Sequence, residues 1–297
     1  MKRFSFSEFL SERLIRASGI MAIAFVVLIF AFLLREGVPA LVEVPPGDLL
    51  ATRWYPIEQH FGLLPLILGS LVVTLGAAAI ALPTGLLAAI FVAEVAPRWL
   101  REVLKPAIEV LAGIPSVVLG FIGMLALSPL VREAFGAPTG LTALTGSLIL
   151  AYMALPTIIS VAEDALDAVP KSYRDAALAL GATRWQTIWM VTVKAARSGI
   201  LTAMMLGIGR AIGETMAVMM VTGNAARMPL SLNSLLLPVR TMTATIAAEM
   251  GEVAQGSTHF HVLFTIGIVL FVITFIVNLV ASVAIFQQTR RSARLLS

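Results

Sequence analysis

The sequence predicts an all-α integral membrane protein with six transmembrane helices and both termini in the cytoplasm. Three observations point there. The 297-residue chain is 59% hydrophobic and 13% charged, with a mean hydropathy of +0.94, whereas a soluble domain is about half apolar and a quarter charged. It contains several mostly apolar runs of the length that crosses a bilayer as a helix, roughly 18 residues or more. Its basic residues also alternate sides. Of the 21 Lys and Arg, fifteen fall in one set of connections, five in the other, and Arg210 falls inside a span. Basic residues collect in cytoplasmic loops, so the rich set is cytoplasmic. No long polar block interrupts the pattern, and residues 1–297 read as a single transmembrane domain.

Lys2 and Arg3 precede the first apolar run as they would in a signal peptide. No Ala-x-Ala-like site follows closely and more spans follow, so the run is expected to be an uncleaved first helix over about residues 17–34. The second span covers about 63–93, long enough to tilt or project, with a kink expected at Pro83. The third covers about 106–130, where Pro115-Ser116 breaks the pattern and opens backbone donors to a cavity. The fourth covers about 141–161, the fifth 199–223 and the sixth 262–286. Glu94 is expected to be solvated at the cytoplasmic end of span two, and Glu109 to face the cytoplasm near the start of span three. In the outer connection, residues 230–248 are moderately apolar but broken by Pro238. They read as a re-entrant or interfacial segment, with the alternating Thr241, Thr243 and Thr245 either lining something polar or lying in a surface loop.

Span five carries two charges, Arg210 and Glu214, one helical turn apart. An ionised side chain at membrane depth costs roughly 2.5–3.5 kcal/mol on insertion scales, so a chain that keeps two of them has a use for them. Arginine stays protonated and presents a planar fork that suits an oxyanion. At i, i+4 the two share a helix face and can pair, with Arg before Glu the weaker order. Arg210 would then be free to turn toward a passing anion, and Glu214 would hold it when the path is empty. The other reading is an inert ion pair that orients helices. Gly209, Gly213 and Ala217 form a small-residue stripe, as do Gly199 and Ala203, and both are expected to pack span five against its neighbours. The thirteen Met residues are read as gap fillers.

The cytoplasmic loop over residues 162–198 is unusually regular. Pro170 breaks one helix, Ser172 is placed to cap the next with Asp175 as an imperfect capping box, Gly181 ends it, and Thr183 is placed to cap a further short helix. On composition this is an amphipathic hairpin seated on lipid headgroups. The run Asp175-Ala176-Ala177, three residues, then Gly181 resembles the signature loop of bacterial ABC importer permeases. That resemblance implies a coupling helix that docks on a separate ATPase through Asp175, Ala176, Ala177, Gly181, Ala182, Thr183 and Arg184. The chain departs from the family pattern with Asp175 for Glu, Val191 and Val193 for Ile and Leu, and Lys194 for Pro. The last departure predicts a more continuous helix into span five, or a snorkelling lysine.

Two further stretches narrow the resemblance. Gly-Arg-Ala-Ile-Gly-Glu-Thr-Met-Ala-Val at 209–218 and Ala-Gly-Ile-Pro-Ser-Val-Val-Leu-Gly-Phe at 112–121 resemble the phosphate-specific ABC permeases. The Met-Ala-Val after Glu214, Gly223-Asn224, and the run from Thr241 to Glu249 are similar to the C-type subunit. The resemblance implies type I ABC importer permease architecture in a bacterial cytoplasmic membrane. It also implies pairing with an A-type permease, two copies of a cytoplasmic ATPase, and a periplasmic or extracellular phosphate-binding protein. ATP and Mg would sit on the ATPase and no cofactor on this chain. The alternative cargo is another oxyanion such as molybdate or sulfate.

Other classes are disfavoured. No Gly-x4-Gly-Lys-Ser/Thr loop is present, so the chain is not expected to hydrolyse ATP. There is no cysteine, and the spans lack the Ser–His, paired-Asp or His-Glu-x-x-His arrangements of an intramembrane protease. His60, His259 and His261 lie in external connections, and no metal site is expected. The net charge of +4 and the pI of 9.8 follow from the loop lysines and arginines and do not call for nucleic acid.

Overall fold

A computed structural model describes residues 6–294; Lys2 and Arg3 lie outside the described residues. The described residues begin with a long helix, α1 (Phe6–Gly37), followed by two single turns, α2 (Ala40–Glu43) and α3 (Pro46–Leu49). A two-residue hairpin, β1 (Trp54–Tyr55) with β2 (His60–Phe61), leads into α4 (Leu64–Ile90). Then come α5 (Arg98–Ala112), α6 (Ser116–Ile122), α7 (Ser128–Phe135) and α8 (Ala143–Asp167). The cytoplasmic connection holds α9 (Lys171–Ala179), α10 (Arg184–Thr187) and α11 (Val193–Ala195). Next are α12 (Arg197–Gly213), α13 (Met216–Val221), α14 (Met242–Glu249) and α15 (Thr258–Arg294). Wider π-type turns at Phe91–Val95, Gly123–Leu127 and Ile188–Thr192 extend α4, join α6 to α7 and join α10 to α11.

Five of the described helices or helix runs are long and apolar enough to cross a membrane. The pair Arg184–Ala195 and Arg197–Gly213, bent by 72°, makes the sixth span. At ~1.5 Å per residue, even the 17 residues of α12 cover most of the hydrocarbon core.

The core runs along α8. Small residues on α4, Ala77 and Ala81, let its backbone approach Leu150, Ala151 and Ala154 of α8. Ser147 donates from its hydroxyl to the Val73 carbonyl at 3.1 Å, so a polar side chain in this contact is satisfied across it. On the other side of α8 lies α12, where Gly199 meets Ala165 and Gly207 meets Ile158 with no room for a Cβ, and Ala203 is fully buried between them. α1 is peripheral. Its exposed apolar residues face outward as a lipid-facing helix requires, and it is held to α15 by Phe30 stacked on Phe271 at 4.5 Å and Phe32 against Phe264.

Several expectations change. Span three begins at Ser116, not near residue 106. The preceding α5 is a separate amphipathic helix, cut off by Gly113-Ile114-Pro115, because Pro115 pushes the residue before it out of the helical region. Span five is not continuous. It bends at Ala196 and stops at Gly213, and Lys194 sits just before the bend, so the missing Pro does not straighten the entry. Of the two readings of Thr241, Thr243 and Thr245, the surface loop fails, since all three are buried. After a short 3-10 turn at Leu232–Leu236, α14 enters the interior with Met242, Thr243, Ala244 and Thr245 buried.

Candidate functional site

The candidate site lies at the break between α12 and α13. Gly213 ends α12, and Glu214 is extended at φ −68° and ψ 135°. Its carboxylate folds forward. Glu214 Oε1 accepts the backbone N–H of Thr215 at 3.1 Å and of Ala217 at 3.4 Å, two of the donors a helix start leaves open. Its carbonyl accepts the Thr243 hydroxyl of α14 at 2.9 Å. The break is therefore built from both sides. Ser70, Thr74, Thr241 and Thr243 give the polar side of a very small cleft beside Glu214, whose other side is apolar, with Val73, Leu150 and Val218 among its lining. Irregular backbone at membrane depth is tolerated where its polar groups find partners inside the protein, as these do.

Arg210 points elsewhere. It lies on the last turn of α12, is exposed on the surface of this chain, and donates to two neutral acceptors. One is the Thr157 hydroxyl of α8 at 3.3 Å, the other the Ala112 carbonyl at the end of α5 at 3.4 Å. Among the described residues no ion pair joins it to Glu214. The i, i+4 pair expected from the sequence is thus not formed, because the helix stops between the two residues and Glu214 is used as a cap. The Gly209-Gly213 stripe is corrected with it. A Cβ on either would meet no atom within 4 Å, so these glycines border the open face beside Arg210. The packing stripe is Gly199, Ala203 and Gly207, two residues offset and so on the opposite face of α12, while Ala217 packs on Gly120 of α6. The Pro115 break presents to Arg210 an acceptor, the Ala112 carbonyl, where donors were expected.

Both contacts of Arg210 lie at the long end of hydrogen-bond distances. A guanidinium so held can exchange neutral oxygens for the charged oxygens of an anion, which bind it shorter and more strongly.

The cytoplasmic loop forms as the glycine predicts. Gly181 adopts φ +85°, which an L side chain resists. Its N–H donates to the Leu178 carbonyl at 3.0 Å, and the Ala182 N–H donates to Ala177 at 3.1 Å, the doubled bond of a Schellman end. Thr183 and Gln186 form a complete capping box on α10. Ser172 does not cap. α9 starts after Pro170 and Ser172 lies inside it. Asp175, Ala176, Gly181, Thr183 and Arg184 are exposed, and Ala177 and Ala182 half-buried. Leu180 (89% exposed) and Trp185 (61%) leave an apolar surface at the turn that nothing among the described residues covers.

Sequence reasoning missed an ionic network beneath the spans. Arg174 of α9 donates to Glu94 Oε1 at 3.0 and 2.6 Å and to the Val169 and Leu166 carbonyls at 2.7 and 2.9 Å. Glu94 is therefore not solvated; its side chain is only 11% exposed. Arg101 of α5 binds Glu163 and Asp167, and Lys105 binds Glu163 at 2.8 Å and Asp164 at 2.9 Å. The hydrogen bonds that the Lys105 ammonium donates to Glu163 and Asp164 hold it above its ordinary pKa. The signal was present as Arg101 and Lys105 at i, i+4, opposite the acidic run 163–167. On the outer side, Glu249 binds Arg240 at 2.6 Å and His259 at 2.8 Å and accepts from the Trp54 indole at 3.2 Å. His261 meets Glu43 instead at 2.9 Å.

Comparison with known proteins bears on the family and the fold. The family of binding-protein-dependent transport system inner membrane components matches residues 81–292. The chain is similar to a probable ABC transporter permease protein, YqgH, of Bacillus subtilis, at 41% identity over 91% of this chain and 88% of that one. It is similar to the phosphate transport system permease protein PstC of Xylella fastidiosa, at 37% over 81% of this chain and 79% of that one. PstC of Mesorhizobium japonicum is 34% identical over 95% and 90%. Among solved structures, the fold is similar to a chain of the inward-facing MetNI methionine ABC transporter, with a TM-score of 0.60 at 18% identity over 80% of this chain and 99% of that one. A chain of a bacterial alginate ABC transporter scores 0.63 at 14% identity over 93% and 95%.

Proposed function

This chain belongs to the family of binding-protein-dependent transport system inner membrane components, and from that premise we propose that it is the C-type permease subunit of an ATP-driven importer of inorganic phosphate. It forms half of the translocation path. An A-type permease supplies the other half, across the open face that carries Arg210, Gly209 and Gly213. Two ATPase subunits holding ATP and Mg bind beneath, at the Gly181 turn. A phosphate-binding protein delivers cargo from outside, with both termini of this chain in the cytoplasm of a bacterial cell.

The observation that carries the reading is Arg210. A permanently charged fork stands at membrane depth, exposed, its partners among the described residues being two neutral oxygens at 3.3 and 3.4 Å. An inert ion pair needs a counter-charge there, and Glu214 is turned away to cap α13. A site that bound phosphate with several converging charges would hold it; one guanidinium with exchangeable partners can pass it on.

The test is uptake of radiolabelled phosphate by the assembled transporter in vesicles. Arg210→Gln should lower uptake at least tenfold while the subunits still co-purify. Unchanged uptake would remove Arg210 from the path. Competition by molybdate or sulfate as strong as that by unlabelled phosphate would move the cargo to another oxyanion.

A further inference from the structure

Arg210 is connected to the cytoplasmic loop by a route that runs through Glu163. This carboxylate belongs to α8 and is 2% exposed. It accepts from Arg101 Nε at 3.1 Å and from Lys105 Nζ at 2.8 Å, two cations one turn apart on α5. Asp167 and Asp164 take the remaining charge of each. A buried carboxylate holding two cations of one helix fixes both the position of that helix and its rotation.

The two ends of this clamp lead to different places. Toward the cytoplasm, α8 ends at Asp167 and turns through Pro170 into α9, whose Arg174 reaches back to the Leu166 and Val169 carbonyls and to Glu94 of span two. The loop and the lower ends of spans two and four are thereby one ionic unit. Toward the membrane, α5 climbs from Arg101 to Ala112, ~17 Å at the helical rise, and ends at the carbonyl that accepts from Arg210. The other Arg210 acceptor, Thr157, lies on α8 itself. Both oxygens that hold the guanidinium are thus attached to the helix pair that Glu163 locks. Apart from that lock α5 is loosely held: it buries no residue, and Trp99, Val103 and Val110 stand exposed along it.

We infer that Glu163 is the positioning residue of transport. It makes α5 move as one body with α8 and the cytoplasmic loop, so that displacement of the loop shifts the Ala112 carbonyl and sets when Arg210 is released to an anion. This rests on Arg210 lying in the path. Glu163 touches no cargo. Its contribution is a two-helix rigid body, the kind of packed element that carries coupling between sites.

The test uses the assembled transporter and two readouts. The first is phosphate moved per ATP hydrolysed, which a loss of stability alone does not change in the complexes that survive. Glu163→Gln should lower that ratio at least fivefold while ATP hydrolysis continues. Because the variant leaves two cations without their shared partner, a triple replacement of Glu163, Arg101 and Lys105 by Met serves as the second variant. Apolar replacement of a buried charge together with its cations commonly keeps the fold, and the carboxylates left behind, Asp164 and Asp167, reach water; this variant too should hydrolyse ATP without matching transport. The second readout is a distance. The chain has no native cysteine, so spin labels at Val110→Cys and Leu206→Cys report the α5 end against α12. The native chain should show one narrow distance in each nucleotide state, and Glu163→Gln a broad distribution in both. A normal transport-to-hydrolysis ratio in either variant, or an unchanged narrow distance, overturns the inference. If Arg210→Gln abolishes uptake while Glu163→Gln is normal, only this inference fails. If Arg210→Gln is itself normal, the path reading fails first.

Discussion

Two regions of this molecule treat charge in opposite ways. Below the spans, Arg174, Arg101 and Lys105 each meet carboxylates at close range, and Glu163 is buried between two of them. At the α12–α13 break, Arg210 has two long contacts to neutral oxygens and Glu214 is occupied by backbone N–H groups. Removing a charge from water is costly, and the cost is offset only by full pairing. The cytoplasmic network reaches that limit and is structural. The membrane site stops short of it, which leaves its cation able to take a new partner. Saturation separates a strut from a conduit here better than residue type does.

The comparison can be broken experimentally at several points. The largest effect is expected in the saturated region. Arg174→Met strands Glu94 in a largely buried position, and loss of one partner of such a pair costs about 3 kcal/mol; thermal unfolding of the detergent-solubilised complex measures it. A loss below ~0.5 kcal/mol would mean the network is ornamental. Next, Arg210→Lys keeps the charge but loses the fork, so phosphate uptake should fall about tenfold, ~1.4 kcal/mol. Lys105→Arg, at a site that needs only charge, should transport normally, and equal responses would erase the distinction. Glu214 sharpens it further. Glu214→Ala removes the acceptor for the Thr215 and Ala217 N–H groups and should destabilise by ~1 kcal/mol, whereas Glu214→Gln keeps an acceptor oxygen and should cost a few tenths. Calorimetry on the two variants would show whether the cap is the residue's structural role.

The smallest effect is a pH dependence. The Lys105 pKa is raised above its ordinary 10.5 by Glu163 and Asp164. Its contribution is therefore complete below that value and declines only as pH rises past it into the alkaline range. Stability should be flat in this respect from about pH 6 to 9, and Lys105→Met should remove part of the alkaline loss. A Lys105-dependent change near neutrality would contradict the pairing.

Much of the fold could be read from the chain. Long apolar runs and the basic asymmetry place the spans, and Gly181, Thr183 and Arg184 form the turn their types predict. The errors are instructive. The single third span and the unbroken fifth both came from hydropathy, which does not register that Pro115 separates an amphipathic helix from a spanning one. The Arg210–Glu214 pair came from helical spacing, which holds only while the helix does. Glu94 seemed free because its partner, Arg174, lies eighty residues away in sequence.

That the chain enters a bilayer, how often, and in which direction are set by composition. Transfer of apolar side chains and the sign of loop charges are sums over residues and need no partner to be evaluated. Which oxygen meets which cation belongs to tertiary structure. The stop at Gly213, the α14 hydroxyl on the Glu214 carbonyl, and the α5 carbonyl beside Arg210 each join residues distant along the chain. Such contacts depend on distance and direction in space, and spacing along one helix cannot supply them.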